Sequence, residues 1–65
     1  MEEPKLAVSV DEAARRLDLG RDVVYRLIMS GDLVSYKVGA RRLVPVAGLR
    51  EWVERRITEA PATAR

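Results

Sequence analysis

Between Gly20 and Ser30 the chain reads GRDVVYRLIMS, and no other stretch restricts the fold as much. Val24, Leu27 and Ile28 fall at i, i+3 and i+4, so a helix here lines them up on one face. Arg21, Asp22, Tyr25, Arg26 and Met29 then share the opposite face. A helix of this kind has an apolar back that must be covered and a front of long polar side chains. The rest of the chain has to supply the cover.

The preceding segment supplies part of it. Ser9-Val10-Asp11-Glu12 reads as a capping box, in which the Ser9 hydroxyl accepts from the Glu12 amide and the Glu12 carboxylate reaches back to the Ser9 amide. A helix follows from about Val10 to Leu17, with Val10, Ala13, Ala14 and Leu17 on one stripe. Its two alanines let another helix come close, while Arg15 and Arg16 lie off the stripe on a solvated face. Asp18-Leu19-Gly20 breaks this helix, since Asp tolerates a left-handed stop and Gly can start the next helix. Helix, short turn, helix is the sequence form of a helix-turn-helix.

Gly31 suits the position just past the second helix, and from Asp32 to Val44 the period changes. Leu33, Val34, Tyr36 and Val38, then Leu43 and Val44, are strand formers on either side of Gly39-Ala40-Arg41. The reading is a two-stranded hairpin with a basic, glycine-containing tip, which must lie on the helices to be stable. Pro45 stops the second strand, and a third helix is expected from about Val46 to Ile57. Leu49, Trp52, Val53 and Ile57 share one face of it, with Trp52 as the largest core residue and Met29 packed at the edge of the second helix. Residues 1–8 read as an N-terminal tail, 9–58 as one domain and 59–65 as a disordered C-terminal tail. The expected fold is mainly α with a small β-hairpin: three helices plus a two-stranded wing.

The chain has no Cys and no His, which excludes disulfides, thiolate chemistry and the usual zinc sites. A small apolar core must hold the fold, and apolar residues at 48% of the chain make one possible. No apolar run approaches the roughly 20 residues that span a bilayer. Met1-Glu2-Glu3-Pro4 is acidic where a secretory signal would be basic, so the expected location is cytoplasmic. Without His, Cys, a carboxylate pair in a cleft or a phosphate-cradling glycine loop, no catalytic residue and no cofactor is expected, and the chain does not read as an enzyme.

Net charge is only +2, but its distribution is uneven. Residues 1–20 carry three basic and five acidic side chains, whereas residues 21–45 carry five basic and two acidic. The positive excess falls on the second helix and the hairpin tip, as an electrostatic footprint for nucleic acid would. Simple solvation of a small surface is the alternative. Arg21 and Arg26 can fork onto guanine or hold phosphate, with Arg21 the first choice for base contact because it lies nearest the N-terminal end. Tyr25 can donate to a phosphate or seal the core edge. Asp22 can accept from cytosine, orient Arg26 or favour the helix dipole. Arg41 and Arg42 at the hairpin are the strongest wing candidates, with Lys37 a weaker one. Arg55 and Arg56 read as a solvated face.

SVDEAARRLDLGRDVVYRLIMSGDL, YKVGARRLVP and LREWV, in this order and at this size, resemble the excisionase family of winged helix-turn-helix proteins and, through them, MerR-type DNA-binding heads. The resemblance covers about residues 8–56. Three positions depart from the family's habit: Asp18 replaces a turn Gly, Gly20 replaces a Ser or Thr cap, and Ala40 interrupts an arginine run. The resemblance implies a recognition helix (Arg21, Asp22, Tyr25, Arg26) in a major groove and a wing (Lys37, Gly39, Arg41, Arg42) in the adjacent minor groove or along phosphates. It implies double-stranded DNA as partner, with tandem copies bending attachment-site DNA so that a tyrosine-type integrase is directed toward excision. No membrane or small-molecule ligand is implied. A phage or plasmid transcriptional regulator shares the fold and stays open as the alternative role, as does a protein-interaction module whose basic face meets an acidic partner.

Overall fold

The computed structural model describes residues 5–59. In chain order its elements are β1 (Ala7–Ser9), α1 (Val10–Leu17), α2 (Arg21–Met29), β2 (Tyr36–Val38), β3 (Arg41–Pro45) and α3 (Val46–Glu59). Three helices and a basic hairpin form as the periodicity predicts, although α3 runs past the expected Ile57 to take in Glu59 of the expected tail, the rest of which lies outside the described residues. The sheet, however, has three strands in the order β1-β3-β2. Residues 7 and 8, expected to belong to a tail, pair antiparallel with β3, placing Ala7 opposite Pro45, Val8 opposite Val44 and Ser9 opposite Leu43. Three residues are too few for alternation to be visible, and only the presence of β3 alongside makes them a strand. The Val46 amide extends the pairing by donating to the Leu6 carbonyl at 2.9 Å.

Ser9 caps α1 as its spacing predicts, with Oγ accepting from the Glu12 amide at 3.1 Å. The Glu12 carboxylate turns the other way. It meets Arg16 Nε and Arg15 at 3.0 Å each, the neighbours that a helix puts within reach at i+4 and i+3. At the far end Asp18 adopts φ 60°, ψ 41°. Its amide donates to the Arg15 carbonyl at 3.1 Å, and the Leu19 amide donates to the Ala14 carbonyl at 2.9 Å. That pair of bonds is a Schellman stop, usually made by glycine and here accepted by aspartate.

Gly31, at φ 84°, ends α2 in the same way, with amide bonds from Gly31 to Ile28 and from Asp32 to Leu27. The Leu33 amide also donates to the Leu27 carbonyl at 3.1 Å. This ties Leu33 to the helix end, where it is buried, so Leu33 and Val34 precede β2 instead of forming its first half.

The core is Val8, Val10, Ala13, Ala14, Val24, Leu33, Val44 and Leu49, with no buried polar side chain among the described residues. Every element contributes to it except β2. Its apolar content belongs to β1, α1, α2, the loop after α2, β3 and the start of α3. Trp52 is half-buried and packs against the edge of this cluster, so it is not the central residue that its size suggested. Beyond it Ile57 is 69% exposed, because α3 meets the rest of the molecule mainly by its first two turns. One further tie comes from Arg55, which donates to the Asp32 carbonyl at 2.9 Å and is therefore not the plain solvated residue expected from its neighbours.

Candidate nucleic-acid interface

Ala13 and Ala14 of α1 and Val24 of α2 are all buried, which fixes how the two helices meet. The Schellman stop fixes the turn between them. With its back covered, α2 presents Arg21, Asp22, Tyr25 and Arg26 to the outside, as its periodicity predicts. Met29, expected to pack at the edge, is 80% exposed on the same side, since no described residue beyond the end of α2 covers it.

The hairpin then comes to this face. Lys37 opposes Arg42 and Val38 opposes Arg41, and Gly39 turns the chain at φ 62°. A hollow of about 200 Å³ lies between the hairpin tip and α2. Ser9, Val10 and Asp11 line it from the start of α1, Arg21 and Tyr25 from α2, and Ala40, Arg41 and Arg42 from the tip. Arg21, Tyr25, Arg41 and Arg42, separated by up to 21 positions in the chain, thus edge one concavity. Asp22 and Arg26 lie on the exposed surface of α2 outside this hollow, and Lys37 and Gly39 are exposed along the hairpin.

Each charged side chain has its own constraint. Arg21 donates through Nε to Asp11 Oδ1 at 2.9 Å, and its guanidinium carbon lies 5.5 Å from the centre of the Tyr25 ring. Hydrogen bonding with Tyr25 first, and the Asp11 charge second, push the Arg21 pKa up. Asp22 meets Arg26 at 3.4 Å, a long and exposed pair that adds little stability. Its carboxylate also leans over the start of α2, where a Cβ on Gly20 would lie 2.8 Å from Asp22 Oδ1. Arg42 is half-buried and donates to Ser35 Oγ at 2.7 Å, whereas Arg41 is exposed. The two wing arginines are therefore not equivalent. Sequence reasoning gave no role at this surface to Asp11 or Ser35. The available signal for Asp11 was its opposite charge to Arg21 at the start of the neighbouring helix, which acquires meaning only when the two helix starts converge.

A helix-turn-helix whose second helix shares a hollow with a basic β-hairpin tip defines the winged helix-turn-helix class. The chain belongs to the excisionase-type helix-turn-helix proteins, matching the helix-turn-helix domain family over residues 7–57. It is similar to a probable excisionase of Saccharopolyspora erythraea, 33% identical over 58 residues that make up 89% of this chain. The match spans 59% of that relative's length. It is also similar to an excisionase of Streptomyces ambofaciens, 36% identical over 53 residues, covering 82% of this chain and 86% of the relative. No solved structure gives a significant match. No helix among the described residues is long and apolar enough to cross a membrane.

Proposed function

We propose that this chain is a small DNA-binding protein of excisionase type that acts by shaping attachment-site DNA without bond chemistry of its own. The observation that carries the reading is the hollow in which Arg21 and Tyr25 of α2 meet Arg41 and Arg42 of the wing. A duplex has a wide major groove flanked by phosphates and then a minor groove, and a helix with an adjoining basic hairpin suits that succession. Arg21 and Arg26 supply forked donors for base edges or phosphates, Tyr25 a hydroxyl, and Arg41, Arg42 and Lys37 positive charge along the backbone.

One module of this size buries about 600–1,000 Å² on DNA, so a single copy binds weakly and gains specificity from tandem copies. Similarity to proteins named excisionase supports the further step, in which an array of copies bends the site and a tyrosine-type integrase is directed toward excision. Fluorescence anisotropy of a labelled duplex across a salt series tests the DNA reading. Affinity should fall steeply with salt, and more shallowly for the Arg41→Ala, Arg42→Ala double variant. Absence of binding even at low salt would overturn it. A circular-permutation gel assay tests the architectural role, which fails if an array of sites stays straight.

A further inference from the structure

We infer that Asp11 is the positioning residue for Arg21, and that through this contact the first helix sets how strictly the second discriminates between bases. The inference rests on the DNA reading above and adds to it a residue outside the recognition helix. Asp11 sits in the first turn of α1 and Arg21 is the first residue of α2, so the pair joins the starts of the two helices. Both side chains line the hollow that also holds Arg41 and Arg42.

The geometry is directional. Asp11 accepts from Nε, the nitrogen nearest the aliphatic stem, at 2.9 Å. Gripping that nitrogen restricts rotation of the guanidinium and leaves the terminal nitrogens, which would form the fork on guanine O6 and N7, outside the Asp11 contact. The Tyr25 ring, 5.5 Å away, limits movement on another side. An arginine that goes to a phosphate instead carries no sequence information. A carboxylate beside a basic hollow also repels phosphate, so Asp11 weakens indiscriminate binding while it orients the reading group. The repulsion lowers affinity for every duplex alike, and it is the orientation of Arg21 that widens the difference between the right sequence and the wrong one.

The test is selection of bound duplexes from a random library by wild type, Asp11→Asn, Arg21→Ala and the double variant, with thermal melting of each to confirm folding. Wild type should enrich a defined motif. Asp11→Asn should keep most of that motif but lose preference at the one or two positions that Arg21→Ala also affects. In direct titrations its ratio of affinity for the motif over random duplex should fall roughly two- to five-fold, the scale expected for an exposed ion pair. In the Arg21→Ala background the Asp11 change should leave the sequence preference unaltered. An Asp11→Asn motif identical to wild type, or an equal loss with and without Arg21, would overturn the positioning role while leaving DNA binding intact. No binding by wild type would instead remove the underlying reading.

Discussion

Gly48 makes room for Val34. A Cβ placed on Gly48 would lie 2.6 Å from Val34 Cγ1, with Pro45 Cβ and Cγ at 3.9 Å. Val34 belongs to the loop that carries the chain from α2 into the wing, and Gly48 to the first turns of α3, so this contact sets how closely the last helix approaches that loop. Val is branched at Cβ and stiff about its one side-chain torsion, so it cannot simply swing aside.

Gly48→Ala is therefore expected to destabilise the fold by about 1 kcal/mol despite the better helix propensity of alanine. In a Val34→Ala background the same change should become neutral or stabilising by up to roughly 0.5–1 kcal/mol, because only the propensity remains. Urea unfolding of the four proteins in this cycle measures the coupling. Additive effects would mean that the wing loop yields without cost.

The two left-handed helix stops should respond in opposite directions. Asp18 bears the strain of φ 60° without being glycine, so Asp18→Gly should raise stability by about 0.5–1 kcal/mol. Gly31 sits at φ 84° with no atom near its missing Cβ, so Gly31→Ala should cost about 1–2 kcal/mol through backbone strain alone. Chemical denaturation of each variant checks both signs.

Acid should loosen α1 through Glu12. The Arg16 hydrogen bond comes first among the influences that lower its pKa from the ordinary 4.5, with the Arg15 and Arg16 charges assisting. A carboxyl whose folded pKa is depressed adds stability above its unfolded value and loses it as pH falls through the folded one. The melting temperature of wild type should thus exceed that of Glu12→Gln above pH 4.5, and the gap should close on further acidification. A gap independent of pH would show that the contact with Arg16 survives without the charge.

Single substitutions should separate the two wing arginines. Arg41 is exposed, so Arg41→Ala should reduce the salt slope of DNA binding by roughly 0.9, the value for one phosphate contact, and leave the melting temperature unchanged. Arg42 is half-buried and bonded to Ser35, so Arg42→Ala should also destabilise the protein by about 1 kcal/mol. Equal behaviour of the two variants in both measurements would contradict the asymmetry.

Much of this architecture was legible in residue order. The Ser9 cap and the break at Asp18 are local signals, and the stripe Val10, Ala13, Ala14 and Leu17 and the apolar back of α2 follow a period of 3.6. Burial of α3 was less legible. Leu49, Trp52, Val53 and Ile57 have helical spacing, yet Ile57 stays largely in water, because periodicity marks a face without saying what will cover it.

The sequence by itself determined where α1 and α2 begin and end, which side of α2 is apolar, and that the basic excess falls on α2 and the hairpin. These follow from neighbours a few positions apart, whose geometry the backbone dictates. Only the tertiary structure decided that Ala7–Ser9 becomes a strand, that Asp11 grips Arg21, that Arg42 is held by Ser35, and that Gly48 must be small for Val34. Each depends on where separately formed elements come to rest, and a side chain's partner across that gap is set by packing of the shared core.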